Sequence, residues 1–554
     1  MITRPNLALV NLKKRADDSK SDPLFIRDTF VDVANTMDLL QNRNPQIVLG
    51  RRGSGKTHTL LALADRARTN GDIVVFLDLR DVGSNSSIYG SPSLTLAERG
   101  TRLFLDVASA IHEELRAAFY TANKDPDLLG DPDVPQRLDE FAQAATEVRL
   151  QGSTGTTITS RLSHTDDSGG SIDVTASKMG IGLSQQSTNR TEDERQIRQE
   201  GHEQQYVHFG RLRVAAQQLL DSFKPRRLWL LLDEWNSIPE DLQPYVGDLL
   251  RRALMAVDGL TLKIGAIQHR SAWTLPRTGS NYVGLELGSD IFADVNLDEF
   301  QVGFGRELAR RFFRELIFKH VIAELEVGTR GQMLLFADEQ DFINQVFQRD
   351  KAFEELVDSA EGVPRDGISI VGLAAQTARE KRIAVPHVRD AARRWHEESK
   401  LPVIEADEAA RRLMYYIVDA VIEGRKTRGF VVRQAETRDD PLFSFLVDQR
   451  LLHRIRRSIS SHDEPGVRFD AYVVDYGFYV DRKATRSEPL PLLFADASGQ
   501  SIDVREVPTV DYRSVRTAIL TLSDFYQMKG RVTSRRTVRR TRRPPSDQPT
   551  LDLD

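Results

Sequence analysis

The sequence of 554 residues contains no cysteine. This absence excludes disulfide bonds, thiolate metal sites and cysteine nucleophiles, and it fits a reducing compartment. Long hydrophobic runs are also missing from the sequence: none approaches the roughly 18 apolar residues of a membrane helix, and the N-terminal segment lacks the apolar centre of a signal peptide. We therefore expect a cytoplasmic protein with no membrane partner.

Basic charge is not in excess over the whole chain, because the net charge is −5. This balance argues against a surface coated with nucleic acid. The distribution is uneven, however: eight basic residues and no acidic one lie between Lys529 and Arg543, and an acidic end follows. Such a tail cannot bury enough apolar surface to fold by itself. It is either a solubilising extension or a tether to a phosphate backbone.

Four short, continuous apolar runs are separated by helical stretches. Such runs are typical of strands that are buried on both faces of a parallel sheet. The length of the chain suggests three or four domains in all. The predicted strands lie at residues 47–49, 73–79, 228–232 and 262–267.

The rest of the chain divides by composition. Residues 151–205 are rich in Ser, Thr, Gly and Gln and predict a flexible insertion, with a marginal hairpin near 172–183 as the alternative. Apolar residues recur at helical spacing over 301–395. After residue 402 we expect a helix over 407–422, a basic amphipathic stretch over 442–459 and then a two-stranded hairpin over 468–483 with Gly477 near its turn or bulge.

A glycine-rich motif of the form G-x-x-x-x-G-K-[ST] follows the first predicted strand. Its glycines let backbone N–H groups converge on phosphate oxygens, and the start of the next helix adds partial positive charge. Lys56 is expected to reach the β- and γ-phosphates of ATP, and the Thr57 hydroxyl to bind Mg²⁺. The predicted nucleotide-binding residues are Gly50, Arg51, Arg52, Gly53, Ser54, Gly55, Lys56, Thr57 and His58.

A second motif is an apolar strand that ends in Asp233-Glu234. Asp233 is expected beside the metal ion, and Glu234 can polarise the water that attacks the γ-phosphate. A run of this kind is weak by itself, since many strands end in solvated acids. Paired with the glycine loop on a parallel sheet, it predicts ATP hydrolysis rather than nucleotide storage alone.

These two motifs, together with the segment Gly362-Val363-Pro364-Arg365 and the later 385–391, resemble the AAA+ superfamily. The resemblance is to its origin-recognition branch, the Orc and Cdc6 initiator ATPases. It implies a P-loop parallel-sheet base, a helical lid and a C-terminal winged-helix-like domain. It also implies that Arg365 is the sensor-2 arginine, which contacts the γ-phosphate from the lid. The alternative is an exposed arginine in the first turn of a helix, where positive charge is mildly unfavourable.

The resemblance implies two further roles near the end of the fourth strand. Sensor 1, commonly Asn in the family, falls on Gln268, with His269 as the second candidate. An arginine finger that acts on a neighbouring subunit falls on Arg277 or Arg270, each of which can equally be an ordinary loop residue. The expected partners are therefore other AAA+ subunits, in a homo- or hetero-oligomer.

The C-terminal domain that the resemblance implies contains a basic helix and a basic hairpin. Such parts can place a helix in a DNA groove and a wing along phosphates. The alternative is a solvated helix face. The double-stranded DNA contacts that we expect on this helix and wing are Arg450, Arg454, Arg457, Arg468, Arg482 and Lys483.

Two weaker patterns have competing interpretations. Asp470 or Asp475 with Asp481-Arg482-Lys483 has the outline of a metal-nuclease site, although a wing hairpin accounts for it better. Residues 548–553 resemble peptides that dock on a sliding clamp, without the usual final aromatic residue.

The sequence as a whole predicts an ATP-dependent DNA-binding switch in a replication, mobile-element or phage-defence setting. The competing function is that of a signalling or scaffold ATPase whose C-terminal part binds protein. The expected domains are an N-terminal extension (1–24), an α/β base (25–300) with an insertion (about 151–205), a lid (301–398), a winged-helix-like domain (399–526) and a disordered tail (527–554).

Overall fold

A computed structural model gives the fold of most of the chain. Among the residues that it describes, no helix has both the length and the apolar character needed to cross a bilayer. The described residues are 3–12, 16, 20, 22–32, 34–82, 94–121, 133–145, 148–151, 157–160, 202–205, 207–276, 282–298, 306–328, 336–424, 427–438, 440–460, 466–480, 493–495, 501–503 and 519–527.

Helices and strands alternate through the first part of the chain. The helices there are α1 (Arg4–Asn11), α2 (Pro23–Thr29), α3 (Thr36–Leu40), α4 (Lys56–Thr69), α5 (Leu96–Thr121), α6 (Val134–Ala145), α7 (Phe209–Ser222) and α8 (Gln243–Ala253). The strands there are β1 (Gln46–Leu49), β2 (Ile73–Asp78), β3 (Val148–Gln151), β4 (Thr157–Ser160), β5 (His202–Gln205), β6 (Leu228–Asp233), β7 (Leu260–Ala266), β8 (Thr274–Pro276), β9 (Tyr282–Gly284) and β10 (Phe292–Asn296).

The second part begins with consecutive helices and continues as a mixed region. Its helices are α9 (Arg306–Gly328), α10 (Glu339–Val346), α11 (Asp350–Ala360), α12 (Pro364–Ala378), α13 (Val385–Ser399), α14 (Leu401–Glu405), α15 (Glu408–Val418), α16 (Gln434–Thr437) and α17 (Pro441–Asp448). Its strands are β11 (Gly429–Arg433), β12 (Leu452–Ser460), β13 (Arg468–Val474), β14 (Leu493–Ala495) and β15 (Ser501–Asp503).

The contacts divide the chain into two compact units, and the division passes through β7. The first unit comprises Met1–Thr69, Lys263–Ser271 and Phe292–Asp554. The second unit comprises Asn70–Leu262 and Ala272–Ile291.

A five-stranded sheet has the order β10-β1-β7-β6-β2. In the first unit β1 runs parallel to both β7 and β10, and in the second unit β2 runs parallel to β6. Every residue of β1 and β6 is buried, as their continuous apolar sequences predict. The sheet and its helices confirm the predicted α/β fold class, and its strands include the four predicted from the apolar runs.

In the first unit, one apolar core joins α1, the helices from α9 to α13 and the elements that follow them. The N-terminal helix α1 is tied to the end of α12, because the Asn6 amide donates hydrogen bonds to the carbonyls of Arg379 (2.6 Å) and Lys381 (3.0 Å). The helical region predicted over 301–395 is confirmed for the described residues. The extension before the P-loop thus packs against this helical region.

The elements of the first unit from α15 onward are called the C-terminal part here. From α15 to β13 their chain order is helix, strand, two helices, strand, strand. The three strands form an antiparallel sheet in the order β11-β13-β12. The helix predicted over 407–422 is observed as α15, whose cap Asp407 accepts hydrogen bonds from the backbone N–H of Ala409 and Ala410, followed by a π-helix over Asp419–Gly424.

The predicted hairpin over 468–483 is wrong in its position. The strands that pair are β12 and β13, and Gly477 lies in a short 3₁₀ helix after β13 rather than in a hairpin turn. A Cβ atom at Gly477 would lie 2.1 Å from Cγ of His396, so that glycine permits a close approach of the chain to α13.

The second unit contains α5 to α8 and two small sheets of its own. Strands β4, β3 and β5 form one antiparallel sheet, and β8 pairs with β9 as a hairpin. Relative to the predicted insertion (about 151–205), β3 ends at its first residue, β4 lies within it and β5 lies at its end. The alternative hairpin near 172–183 lies outside the described residues, as do residues 528–554 of the predicted tail.

Candidate functional site

The glycine-rich loop connects the end of β1 to the start of α4. Gly53 has φ +81°, a left-handed conformation that suits glycine. A Cβ atom at Gly50 would lie 2.3 Å from Oγ and 3.2 Å from Cβ of Ser54, so a larger residue there would force the Ser54 side chain to move. The backbone therefore forms the tight cradle that a phosphate group needs at the start of a helix.

Lys56 is the first residue of α4 and is buried. Its Nζ donates hydrogen bonds to the carbonyl oxygens of Gly50 (2.9 Å) and Arg51 (3.2 Å), which holds the ammonium across the loop. The loop and this ammonium together fit a nucleotide phosphate. The Thr57 hydroxyl, in the same first turn of α4, is the loop's candidate ligand for Mg²⁺.

His58 faces helix α2 instead of the phosphate cradle. Its Nε2 lies 2.9 Å from the carbonyl oxygen of Ile26, and its ring packs edge-on against Phe30 at 5.7 Å between centroids. Burial lowers the pKa of this imidazole. The prediction that His58 binds nucleotide has no counterpart in these side-chain contacts, since adjacent residues of a helix project in different directions.

Arg51 connects the loop to the helical region and to the C-terminal part. Its backbone N–H donates to Asp298 (2.8 Å), its Nη2 donates to the carbonyl of Glu361 (2.7 Å) and its Nη1 donates to Nδ1 of His453. Arg51 and His453 are both buried. Arg51, which was predicted to bind nucleotide, therefore holds several parts of the first unit together. One of its partners, His453, is 402 residues further along the chain.

The first turn of α12 lies directly on the loop. The backbone N–H of Arg365 donates to the carbonyl of Gly53 (3.3 Å), and a Cβ atom at Gly53 would be 3.0 Å from Cβ of Arg365. The structure thus brings the predicted sensor-2 arginine and the phosphate loop together.

Next to Arg365, a group of buried charges joins α12 to α13 and to the C-terminal part. Asp366 pairs with Lys400 at 3.0 Å and with Arg450. Burial alone would raise the pKa of the Asp366 carboxyl, but Lys400 and Arg450 hold it below its usual range. Asp366 therefore stays ionised inside the protein because two cations are beside it.

Asp475 completes the same group of charges. It accepts hydrogen bonds from His396 (2.9 Å), from Nε2 of His453 (3.0 Å) and from Lys400. Burial favours the neutral carboxyl, yet Lys400 and the two histidines hold the pKa of Asp475 well below its ordinary value. We call Asp366, His396, Lys400, Arg450, His453 and Asp475 the buried charge cluster.

His453 connects the buried charge cluster to the glycine-rich loop through hydrogen bonds. Burial, followed by the charge of Arg51, lowers the pKa of His453 to about 3. The imidazole is neutral and donates from Nε2 to Asp475, so its Nδ1 is the acceptor that the Arg51 guanidinium requires. The loop, His453 and Asp475 form one continuous hydrogen-bonded chain.

Gln268, the sensor-1 candidate, lies just beyond β7 and is held by two arginines of β12. Its side-chain oxygen accepts hydrogen bonds from Arg454 (2.7 Å) and from Arg457. Burial and these same two arginines lower the pKa of the neighbouring His269 to about 4. The structure thus links the sensor-1 segment to the C-terminal part, which the sequence did not predict.

Of the two arginine-finger candidates, only Arg270 is among the described residues. Arg270 forms an ion pair with Asp448, the last residue of α17. Burial raises the pKa of the Asp448 carboxyl, against the opposing effects of Arg270, Arg52 and Lys56. Arg277 lies outside the described residues.

The Asp-Glu motif is in the second unit. Asp233 is fully buried at the end of β6, in register with Asp78 at the end of β2. Its Oδ1 accepts a hydrogen bond from the backbone N–H of Glu234 (2.9 Å). Glu234 has φ +56°, and its carboxylate accepts a hydrogen bond from the Asn236 amide (3.0 Å). This uncommon backbone conformation for a glutamate is often found at functional positions.

The predicted DNA contacts require a correction. The helix α17 ends at Asp448, because Arg450 adopts φ +61°, and Arg454 and Arg457 belong to strand β12. Arg450, Arg454 and Arg457 therefore do not form an exposed helix face, and all three contact residues of the first unit. Arg468 is exposed at the start of β13. Arg482 and Lys483 lie outside the described residues.

The carboxylates of the nuclease alternative have structural partners. Asp470 accepts hydrogen bonds from the Gln434 amide (2.6 Å) and the backbone N–H of Ser458 (2.9 Å). Asp475 belongs to the buried charge cluster. Asp481, Arg482 and Lys483, which the alternative also requires, are not among the described residues.

Two features, the parallel sheet and the glycine loop before α4, define a P-loop α/β protein. The sequence model of the ORC-CDC6-like family matches residues 13–72, the segment that contains this loop. This segment is therefore similar to the ORC-CDC6-like family, in agreement with the resemblance in the sequence motifs. No curated protein matches the chain. Among solved structures, the Walker-type ATPase PABY2304 of Pyrococcus abyssi is similar, with 11% identity, a TM-score of 0.31 and coverage of 81% of this chain and 93% of that chain.

Proposed function

We propose that this chain is an ATP-binding and ATP-hydrolysing switch of the ORC-CDC6 type that binds double-stranded DNA in a nucleotide-dependent way. One observation carries the proposal: the P-loop contacts both the first turn of α12, through Gly53, and the C-terminal part, through Arg51 and His453. A nucleotide in this loop is therefore adjacent to two elements that can respond to it.

The proposed roles in the first unit follow the loop geometry. Backbone N–H groups over residues 50–57 bind the phosphates, Lys56 neutralises them and Thr57 holds Mg²⁺. Arg365 is proposed to contact the γ-phosphate from α12, and Gln268 to orient the attacking water. When bound, Mg²⁺ supplies positive charge to the phosphate oxygens.

The proposed roles in the second unit belong to the Asp-Glu motif. Asp233 is the proposed second metal contact, and its carboxylate is already oriented by the backbone N–H of Glu234. Glu234 is the proposed general base toward water, held by Asn236.

The proposed division of the chain is a base, a lid formed by α9 to α13 and a winged-helix domain. The order helix, strand, two helices, strand, strand with an antiparallel sheet β11-β13-β12 supports the last assignment. The proposed phosphate contacts with duplex DNA are Arg468 on β13, Arg482, Lys483 and the basic tail. Cytoplasmic location and assembly with other AAA+ subunits remain proposals of the same kind.

A signalling or scaffold ATPase is the second candidate function. It is favoured by the inward contacts of Arg450, Arg454 and Arg457, because these arginines are engaged within the first unit and are not displayed to DNA. In this case the C-terminal part would bind protein.

Nucleotide binding and hydrolysis are tested with two variants. We expect Lys56→Ala to abolish binding of a fluorescent ATP analogue, because the loop loses its buried ammonium. Glu234→Gln should bind ATP normally and hydrolyse it at least about a hundredfold more slowly. Normal turnover by the Glu234→Gln protein would refute the role of Glu234, and normal ATP binding by the Lys56→Ala protein would refute the site.

DNA binding is tested by fluorescence anisotropy with a labelled duplex at several salt concentrations, with ATP, ADP or no nucleotide. A DNA switch should bind most tightly with ATP and lose affinity steeply as salt rises. The triple variant Arg468→Gln, Arg482→Gln, Lys483→Gln should weaken binding and reduce the salt slope. Absence of duplex binding with every nucleotide would favour the signalling or scaffold function.

A further inference from the structure

Strand β12 carries Arg454 and Arg457, which contact the segment that follows β7. This segment lies at the edge of the five-stranded sheet where the phosphate loop begins. Strand β7 lies parallel to β1, with Ala266 opposite Leu49, and the backbone N–H of Gly50 donates to the carbonyl of Ala266 (3.2 Å). Gln268 follows Ala266 by two residues, and Arg454 and Arg457 both contact its side-chain oxygen. Their guanidinium groups are thus anchored to the segment that adjoins the loop.

The strand is irregular where it carries these arginines. In a regular strand, residues three apart point to opposite faces of the sheet. The pairing of β12 with β13 is interrupted on both sides of Arg456, and Ser458 has φ +52°. These interruptions allow Arg454 and Arg457 to converge on one acceptor. Bulges that redirect side chains in this way are over-represented next to active sites.

A second contact places the end of α17 near the same loop. Asp448 is paired with Arg270, and the charges of Arg52 and Lys56 also act on its carboxylate. The C-terminal part therefore approaches the loop both at the end of α17 and along β12. Both approaches involve residues of one chain, within the first unit.

The chemistry of this convergence favours a phosphate ligand. Two guanidinium groups repel each other, and the acceptor on which they meet is a neutral amide oxygen. An oxygen of an ionised phosphate would be a stronger acceptor for each, because its negative charge attracts both guanidinium groups, whereas the amide oxygen carries no net charge. Nε2 of the adjacent His269 is buried and has no hydrogen-bond partner among the described residues, so a further polar atom is present there.

We infer that Arg454 and Arg457 are phosphate-binding residues that the C-terminal part supplies to the nucleotide site of its own chain. On ATP binding their guanidinium groups exchange the Gln268 oxygen for oxygens at the γ-phosphate end of the triphosphate. The inference rests on the proposed binding of ATP to residues 50–57. It assigns these two arginines to the nucleotide rather than to DNA, and it makes an arginine finger from a second subunit unnecessary for this contact.

The test compares binding of fluorescent ATP and ADP analogues to the full chain with Mg²⁺. The double variant Arg454→Gln, Arg457→Gln should lose at least about tenfold in affinity for the ATP analogue, because two charge-assisted hydrogen bonds are removed. Its affinity for the ADP analogue should change by less than about threefold, since ADP has no γ-phosphate. Lysines at both positions should restore part of the ATP affinity.

A matched control is Arg412→Gln on α15, an exposed arginine of the same C-terminal part that pairs with Glu408. It should leave both affinities unchanged. Thermal unfolding of each variant shows whether the protein is folded. If the double variant does not fold, the single variants Arg454→Gln and Arg457→Gln are measured instead, and each should lose affinity for the ATP analogue while its affinity for the ADP analogue changes by less than about threefold.

Several outcomes would overturn the inference. An equal loss of ATP and ADP affinity would indicate a structural role, and unchanged ATP affinity would indicate that the arginines only hold Gln268. Recovery of affinity on mixing with the Lys56→Ala protein would show that they act on a second subunit. If the wild-type chain binds no nucleotide, the proposed function fails as well. If it does bind ATP and the double variant binds ATP equally well, only this inference fails.

Discussion

Gly53 combines a left-handed backbone with a close neighbour from another element. Its φ is +81°, and an added Cβ would lie 3.0 Å from Cβ of Arg365 and 3.2 Å from Cγ1 of Val363. Any side chain at this position is therefore disfavoured twice, once by the backbone and once by the first turn of α12. The residue carries the contact between the loop and the proposed sensor.

We predict that Gly53→Ala lowers both stability and ATP affinity. The left-handed conformation alone costs an alanine about 1 kcal/mol, and the contact with Arg365 adds to that loss. The control is Gly466→Ala, since Gly466 has φ +86° and no atom within 4 Å of an added Cβ. Thermal unfolding and nucleotide titration measure both effects. Equal losses in the two variants would show that the contact with Arg365 is unimportant.

The site residues could be predicted to different depths from the sequence. The glycine loop and Asp233-Glu234 are local patterns, so each could be found by reading a few consecutive residues. The contacts of Arg51 could not be predicted in this way, because its partner His453 is 402 residues away in the sequence. A sequence pattern carries no signal for a contact between such distant positions when one residue is an ordinary histidine in a strand.

At the scale of elements, the buried charge cluster joins α12, α13 and the start of β12. Lys400 pairs with both Asp366 and Asp475, and all three side chains are at most 3% exposed. Such a cluster is costly to remove in part, because the remaining charges stay buried without their partner. It holds the C-terminal part in a defined position against the first turn of α12.

We predict that Asp475→Asn destabilises the protein by about 3–5 kcal/mol, because Lys400 loses one of its two buried carboxylates. The control is Asp390→Asn, which removes an exposed ion pair with Arg393 whose side chains are each 38% exposed. Exposed pairs of this kind contribute about 1 kcal/mol or less. Urea unfolding of both variants gives the comparison, and a similar effect in the two would contradict the role assigned to the cluster.

Element boundaries show why the predicted basic helix was wrong beyond Asp448. Ile455 and Ile459 are four residues apart, a spacing typical of one helix face, yet both lie on β12. The helix ends because Arg450 takes a left-handed conformation that no sequence rule assigns to arginine. The interruptions in the pairing of β12 then obscure the alternation by which a strand is normally recognised.

At the scale of the whole molecule, the α/β class was predictable because β1, β2, β6 and β7 are short and largely apolar. The fifth strand, β10, was not predicted, since its sequence Phe-Ala-Asp-Val-Asn is only partly buried and has little apolar character. The packing of α1 against α12 was also not predicted. It depends on an asparagine that reaches two backbone carbonyls, for which a short helix gives no sequence signal.

Buried histidines make the stability of the whole molecule dependent on pH. Burial is the main cause that lowers the pKa of His269 to about 4 and of His320 and His453 to about 3. In the unfolded chain a histidine has a pKa of about 6.5. Between these limits the unfolded chain binds more protons than the folded chain, so stability falls as the pH is lowered below about 6.5.

We predict that the thermal unfolding midpoint falls between pH 6.5 and pH 4.5, and that His320→Phe makes this fall shallower. Each such histidine contributes up to about 1.4 kcal/mol for each pH unit in this range. His320 packs edge-on against Phe25 at 5.9 Å, so an aromatic replacement suits its position. A pH dependence identical to that of the wild-type protein would refute the assignment of His320 as a buried neutral group.

The absence of cysteine, together with the packing of α1 against α12, makes the chain suitable for site-specific labelling. Because the chain contains no cysteine, a single introduced cysteine can be labelled at one chosen position without first removing others. Leu7 on α1 and Tyr415 on α15 are 47% and 48% exposed, so both can carry a dye or a spin label. A doubly labelled Leu7→Cys, Tyr415→Cys protein would report, in real time, the separation between α1 and the C-terminal part as nucleotide is added.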